Sequence, residues 1–167
     1  MSITLYPNIL SKEQCSLLLQ KYDIKNYHGN DMVYFSTPST GQEYNIKKLK
    51  IKDDIVEKIC QRLNINHSDV DSCHLVYYPN NSFNSLHADN CIIKDNTITR
   101  VKTWTRSVII FLNEDFEGGE LVYPYYGISI TPTIGTCVIS PADENYLHLV
   151  NQVIGERYAL VLRITDK

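Results

Sequence analysis

Two stretches in the first 70 residues carry apolar side chains at helical spacing. In the first, Ser11 and Gln14 form a capping-box pattern, and apolar side chains recur from Cys15 to Tyr22 at i, i+3, i+4 and i+7. The second begins near Asp53 and Asp54, whose charges suit a helix N-terminus, and runs to Leu63. The pattern predicts two amphipathic helices that cover one side of a sheet.

Beyond residue 70 the pattern changes to short runs rich in Val, Ile, Thr and Tyr, separated by Gly, Pro and Asn. Such runs are typical of β-strands. They predict strands over 72–78, 104–112, 119–123, 127–131, 135–139 and 156–165. Many short strands favour a mainly β fold, a sandwich or open barrel of antiparallel sheets with the helices outside. The polar segment from Asn90 to Thr103 has no clear period, and we interpret it as a mobile loop.

Length and composition narrow the possible functions. The 167 residues suit one domain, with helical support over about 1–70 and a strand-rich core over about 72–165. A formal net charge of −3 argues against a nucleic-acid partner, and the longest apolar run, 108–112, is too short to span a membrane. No apolar leader begins the chain, and five cysteines without a C-x-x-C pair favour buried reduced thiols. These features predict a cytoplasmic location.

The candidate chemistry begins at His87-Ala88-Asp89. In an extended segment these two side chains project to the same side, so they can bind one metal ion. A third ligand is required, and the candidate is His148, just before the last strand. Two histidines and one carboxylate leave open positions of the kind that non-haem Fe(II) oxygenases use. A zinc hydrolase is an alternative for the same ligand set.

The last predicted strand adds an anion-binding residue to this set. Period two places Arg157, Ala159, Val161 and Arg163 on one face and the apolar Tyr158, Leu160, Leu162 and Ile164 on the other. An arginine beside small side chains describes a pocket in which a guanidinium can bind a carboxylate through two hydrogen bonds. Arg157 argues against the hydrolase, which needs no such anchor.

Together these residues resemble the Fe(II)- and 2-oxoglutarate-dependent dioxygenases, and in particular the prolyl hydroxylases. The resemblance runs from about Ser72 to Thr165. It includes Tyr77-Tyr78-Pro79, then His87-Ala88-Asp89-Asn90-Cys91, then the segment from Leu112 to Glu120, and finally His148 with Gly155 and Arg157. The stretches around Cys91 and Phe116 are similar to the prolyl 3-hydroxylase (leprecan) catalytic domain, and the ending is similar to the prolyl 4-hydroxylase type of oxygen sensor.

The resemblance implies a double-stranded β-helix, the jelly roll of the cupins. It implies that His87, Asp89 and His148 bind Fe(II) and that Arg157 binds 2-oxoglutarate, with Tyr78 lining the same pocket. The cofactors would be Fe(II), 2-oxoglutarate and O₂, with ascorbate as a reductant. The expected reaction is hydroxylation of an aliphatic C–H in a prolyl or other residue of a peptide or protein.

The sequence departs from the family at two positions. Phe111 stands where a tyrosine often helps to hold the cosubstrate, and Tyr78, Tyr123, Tyr125 or Tyr126 are candidates to replace it. Arg163 stands where these hydroxylases usually have tryptophan. Since it lies roughly 20 Å along the strand from Arg157, we expect it toward the far end of the barrel.

We assign Arg163 and Asn90 to substrate contacts as a hypothesis, with a solvent-facing salt bridge as the alternative for Arg163. His28, His67 and His74 fit no ligand spacing. Two further functions stay open, a hydroxylase of a free amino acid or small metabolite and a catalytically silent β-sandwich that binds a partner.

Overall fold

The computed structural model of the protein describes residues 2–30, 32–35 and 46–167. Residues 1, 31 and 36–45 lie outside this description. The two α-helices are α1 (Lys12–Lys21) and α2 (Ile55–Leu63). The strands are β1 (Thr4–Tyr6), β2 (Met32–Phe35), β3 (Ile46–Lys50), β4 (Val70–Tyr78), β5 (Asn84–His87), β6 (Cys91–Lys94), β7 (Thr97–Arg100), β8 (Arg106–Phe111), β9 (Glu117–Gly118), β10 (Leu121–Tyr123), β11 (Ile128–Ile130), β12 (Cys137–Pro141), β13 (His148–Val150), β14 (Val153–Ile154) and β15 (Arg157–Ile164).

Two antiparallel sheets face each other across a shared core. The major sheet has the order β1-β12-β8-β15-β4-β3-β2, and the minor sheet has the order β11-β10-β13-β5. Buried side chains of both sheets meet between them, among them Val76, Ile109 and Ala159 of the major sheet and Leu121 and Val150 of the minor sheet. This is the predicted jelly roll, and its interior holds the candidate site.

The two helices cover the outer face of the major sheet, as the sequence predicts. Ser11 caps α1 through the predicted capping box with Gln14, and Asp54 is the N-cap residue of α2. The apolar faces of both helices pack on the outward side chains of β15, Leu160, Leu162 and Ile164. The alternate side chains of β15 face the interior between the two sheets; they are Arg157, Ala159, Val161 and Arg163. One face of β15 therefore packs on the helices, and the other lines the cavity.

All six predicted strands are present within a few residues of their expected bounds, but the sequence missed several others. Three of the missed strands, β1, β2 and β3, lie in the part predicted to be helical. The segment Asn90–Thr103 is also not an irregular loop, since β6 and β7 pair as a hairpin from Cys91↔Arg100 to Lys94↔Thr97. Asp95 and Asn96 form its two-residue turn, both with positive φ, which suits a right-twisted hairpin.

The five cysteines are all buried free thiols, as predicted. Among the helices that the structure describes, none is long and apolar enough to cross a bilayer.

Candidate active site

The three predicted ligands meet on the inner side of the minor sheet. His148, which begins β13, is the cross-strand partner of His87, which ends β5, and their ring centroids lie 4.4 Å apart. Asp89 follows two residues after His87 and is buried. One ligand atom from each residue lies within 4.8 Å of the others. The strand pairing therefore brings together two ligands that are far apart in sequence.

Backbone carbonyls orient both imidazoles. The Nδ1 atom of His87 lies 2.7 Å from the Ser85 carbonyl oxygen, and that of His148 lies 3.0 Å from the Tyr146 carbonyl oxygen. Because a carbonyl only accepts, these contacts place the proton on Nδ1 and leave Nε2 of each ring, 3.6 and 3.7 Å from the Asp89 carboxylate oxygens, with a lone pair for a metal ion. Such outer contacts are how proteins set the tautomer of a metal-binding histidine.

The electrostatics favour the protonation states that a metal ion requires. Burial lowers the pKa of His148 to about 4, although Asp89 opposes the shift, so the imidazole is neutral at pH 7. Burial alone would raise the pKa of Asp89, but Arg163 and His148 outweigh it and hold that pKa well below the ordinary 3.8. A neutral imidazole and an ionised carboxylate are the forms that bind a divalent cation.

Arg163 holds one oxygen of the Asp89 carboxylate. Its Nη1 atom lies 2.8 Å from Asp89 Oδ2 and 2.7 Å from the Ser107 hydroxyl oxygen, and that hydroxyl donates to the same Oδ2 at 2.5 Å. The guanidinium also lies over the Trp104 ring, 5.3 Å from its centroid. Arg163 is only 9% exposed, which contradicts a solvent-facing salt bridge. The expectation that places it away from the ligands is also wrong, because Arg163 binds the carboxylate of Asp89 directly.

Arg157 lies deep between the sheets. It is 2% exposed, and its guanidinium carbon stands 4.7 Å from the centroid of the Tyr78 ring and 5.4 Å from that of Phe111. Its Nε atom has no hydrogen-bond partner among the described residues, and burial lowers the arginine's pKa from its ordinary value. A buried cation with an unused donor fits a carboxylate ligand at this position. Phe111 thus contributes a ring face where the family often has a phenol.

Two cavities meet at His87 and Asp89. The small inner cavity extends from His87, Asp89 and His148 to Arg157 and Tyr78. The outer cavity, about 480 Å³, extends from His87 and Asp89 to a rim that includes Ile92 and Val101. The candidate ligands therefore lie between a small cavity that ends at Arg157 and a larger one that reaches the surface.

The sequence profile of the 2OG-Fe(II) oxygenase superfamily matches residues 73–164, more than half of the chain. The chain belongs to this superfamily. It is a 2-oxoglutarate-dependent dioxygenase, an Fe(II) enzyme that uses 2-oxoglutarate and O₂. No curated protein matches the chain in sequence.

Solved structures share the fold of this oxygenase. The viral collagen prolyl hydroxylase of Paramecium Bursaria Chlorella virus-1, solved with 2-oxoglutarate, has a TM-score of 0.71 and 16% identity, over 100% of this chain and 97% of that one. A Pseudomonas putida prolyl-4-hydroxylase has a TM-score of 0.65 and 17% identity, over 99% and 93% of the two chains.

A third structure is the prolyl hydroxylase of Trichoplax adhaerens in complex with a hypoxia inducible factor peptide fragment. It has a TM-score of 0.71 and 18% identity, over 99% of this chain and 84% of that one. At these identities the likeness establishes the fold.

Asn90, for which a substrate contact is predicted, does not line either cavity. Asn90 is fully buried, and its side-chain amide donates to the Trp104 backbone carbonyl at 2.8 Å. Its backbone carbonyl accepts from the backbone N–H groups of Val101 and Lys102. Through its side chain and its backbone, Asn90 therefore links the start of the β6–β7 hairpin to the segment that follows it.

Three residues of the oxygenase's interior were given no site role from the sequence, and His74 among them was set aside because it fits no ligand spacing. Ser107 contacts Asp89, while Lys48 and His74 line the outer cavity on neighbouring strands. Burial lowers the pKa of His74 to about 4, with further contributions from Lys48 and Arg163, so this imidazole is neutral at pH 7. Period two in β8 and β4 places Ser107 and His74 on inner faces, which was the available signal. Lys48 had no such signal in the sequence, because the lysine-rich segment that forms β3 lacks the pattern of a β-strand.

The tyrosines proposed to replace the phenol missing at Phe111 do not reach Arg157, apart from Tyr78. Tyr123 is buried, its hydroxyl donates to Ser140, and its ring lies 5.2 Å from that of His148. Tyr125 and Tyr126 are exposed. Tyr78 is therefore the tyrosine in contact with the buried guanidinium.

Proposed function

We propose that the oxygenase hydroxylates an aliphatic C–H in a prolyl or other residue of a peptide or protein. The observation that carries this proposal is the meeting of His87, Asp89 and His148 between a small inner cavity that ends at Arg157 and a larger outer cavity. The fold it shares with three prolyl hydroxylases, one of them solved with a peptide, supports the peptide substrate.

In this proposal His87, Asp89 and His148 bind Fe(II). When bound, the iron supplies O₂ activation coupled to decarboxylation of 2-oxoglutarate, which yields succinate, CO₂ and the hydroxylated product. The protein's part is to fix the tautomer and the orientation of both imidazoles through the Ser85 and Tyr146 carbonyls. Arg163 and Ser107 hold Asp89 Oδ2, which fixes the plane of the carboxylate.

Arg157 and Tyr78 form the cosubstrate end of the site. The guanidinium would bind the distal carboxylate of 2-oxoglutarate, and the rings of Tyr78 and Phe111 would shield that ion pair from water. A desolvated charge pair is stronger than one in water, so it also orients the cosubstrate in the inner cavity. The inner cavity is small and leaves the outer cavity for the substrate.

The rim of the outer cavity favours a peptide over a free amino acid. Val33, Ile92 and Val101 line it and are themselves about half exposed, so apolar surface continues from the cavity onto the outside of the protein. A free amino acid would leave this surface uncovered, whereas a peptide can cover it on both sides of the inserted residue. The site's complete set of donors disfavours a silent binding protein.

The test is succinate release with Fe(II), ascorbate and 2-oxoglutarate, run against proline-containing peptides and a panel of free amino acids. We expect peptide-dependent succinate and a product 16 Da heavier than the peptide, the mass of one oxygen atom. His148→Ala is the inactive control. Succinate release that depends on a free amino acid and on no peptide would contradict the peptide assignment.

A further inference from the structure

A row of buried polar side chains crosses the inner face of the major sheet beside the candidate metal site. Ser140 of β12 is the cross-strand partner of Ser107 of β8, and Ser107 is in turn the partner of Arg163 of β15. All three side chains are buried. Ser107 and Arg163 bind the Asp89 carboxylate. Ser140, at the end of the row, instead accepts a hydrogen bond from Tyr123 of the minor sheet. The row therefore contacts both a candidate ligand and the opposite sheet.

Tyr123 spans the interior from the minor sheet to this row. It is the last residue of β10, it is fully buried, and its hydroxyl donates to the Ser140 hydroxyl oxygen at 2.9 Å. Its ring lies against His148, with 5.2 Å between the two ring centroids. Burial raises the pKa of Tyr123 to about 12, so the phenol keeps its proton at pH 7 and remains a donor. Because the interior is densely packed and the hydroxyl is bonded, the ring is held in one position.

The two sheets carry different parts of the candidate metal site. Both histidine ligands lie in the minor sheet, His148 as the first residue of β13. The Asp89 carboxylate is held by side chains of the major sheet, among them Ser107. The separation of the sheets at this level therefore sets the distance between carboxylate and imidazole, which is 3.7 Å from Asp89 Oδ2 to His148 Nε2. The hydrogen bond of the Tyr123 phenol joins the sheets one strand away from Ser107.

We propose that Tyr123 is a positioning residue for the metal ion. Its ring holds the His148 imidazole, and its hydrogen bond to Ser140 fixes the spacing of the two sheets that present the ligands. The inference rests on the proposed Fe(II) ligand set and adds to it a residue that does not touch the metal. Loss of such an outer contact typically weakens metal binding by about 10- to 100-fold.

The test measures the affinity for Co(II) and the visible absorption of the bound ion, because neither depends on turnover. Tyr123→Phe keeps the ring and removes the hydroxyl, and we expect the Kd for Co(II) to rise about tenfold. Tyr123→Leu also removes the ring, so the Kd should rise about a hundredfold and the absorption spectrum should change as His148 loses its support. Tyr123→Phe keeps the test decisive if Tyr123→Leu does not fold.

Tyr77→Phe is the matched control. The Tyr77 hydroxyl also donates a hydrogen bond, to Glu156 Oε1 at 3.2 Å, but on the face of the major sheet that the helices cover. We expect this variant to bind Co(II) as the wild type does. A Tyr123→Phe protein that melts at a lower temperature but has the Co(II) affinity and spectrum of the wild type would show a structural residue only, and would overturn the proposal.

Ser140→Ala assigns the effect to the hydrogen bond. It removes the acceptor, so it should weaken Co(II) binding as much as Tyr123→Phe does, and the double variant should bind no more weakly than either single variant. Additive losses in the double variant would overturn the role of this bond.

Failure of this proposal differs from failure of the proposed function. A wild-type protein that binds no Co(II) loses the proposed ligand set and this role with it. A wild type that binds Co(II) no more tightly than folded Tyr123→Phe and Ser140→Ala keeps the ligand set and loses this role alone.

Discussion

Replacing Arg163 by leucine should destabilise the metal-free protein strongly, because it leaves a buried carboxylate without its cation. Asp89 and Arg163 have side chains only 2% and 11% exposed, with 2.8 Å between Oδ2 and Nη1. Breaking such a pair from one side costs about 3–5 kcal/mol. At about 2–4 °C per kcal/mol for a domain of this size, the melting temperature should fall by roughly 6–20 °C.

The assay is thermal unfolding of metal-free protein followed by circular dichroism, with Arg106→Leu as the matched control. Arg106 is the cross-strand neighbour of Ile164 and pairs with Asp166 on the partly exposed side of the same sheet, so its loss should cost about 1 kcal/mol or less. Bound Fe(II) would supply a positive charge to Asp89, and we expect it to reduce the loss in Arg163→Leu. A melting temperature for Arg163→Leu that matches the control would refute the reasoning.

The stability lost in Arg163→Leu should depend on pH, because it depends on the ionisation of Asp89. The native pKa of Asp89 is held below the ordinary 3.8, so the ionised carboxylate contributes stability that is full above about pH 4 and is lost as the pH falls through the native pKa. Without Arg163 that pKa should rise, and burial then favours the neutral acid. The difference in unfolding free energy between wild type and variant should therefore be largest near neutral pH and shrink in acid. A difference that is independent of pH would contradict this account.

Three further outcomes follow from the site. Asp89→Ala should lose Co(II) binding, measured by its visible absorption, and lose succinate release while the circular dichroism spectrum stays native; turnover close to wild type would remove Asp89 from the ligand set. Arg157→Ala should raise the KM for 2-oxoglutarate roughly ten- to a hundredfold, because a charged hydrogen bond contributes about 1.5–3 kcal/mol, with Co(II) binding retained; an unchanged KM would exclude it. Since the pKa of His148 is lowered from 6.5 to about 4, the unfolded chain takes up a proton first, and the stability of the metal-free protein should fall by about 3 kcal/mol between pH 6.5 and 4. His148→Gln should flatten this decline in urea titrations, and an equally steep decline would assign it to other groups.

Elements with a strong local period could be predicted from the sequence. The capping box at Ser11 and the apolar spacing of α1 and α2 determine their own helices, because helix contacts join residues three and four apart. Period two likewise placed Arg157 on the inner face of β15. The candidate ligands His87, Asp89 and His148 were found by spacing and family resemblance.

Weakly patterned segments needed tertiary contacts to take shape. The β6–β7 hairpin mixes isoleucines with threonines and lysine, and the backbone bonds of Asn90 to Val101 and Lys102 close its base. β3 carries three lysines in five residues and becomes a strand by pairing with β4. Local propensity did not predict either element.

The partners of each charged side chain were decided by tertiary structure alone. Arg163 donates hydrogen bonds to Asp89 and Ser107, which precede it in sequence by 74 and 56 residues. Strand order makes these contacts: β15 lies beside β8, which presents Ser107 directly opposite Arg163. The period of a strand predicts the sheet face on which each side chain lies. Which group that side chain contacts depends on the neighbouring strand. The order of the strands is set by the packing of the whole sheet.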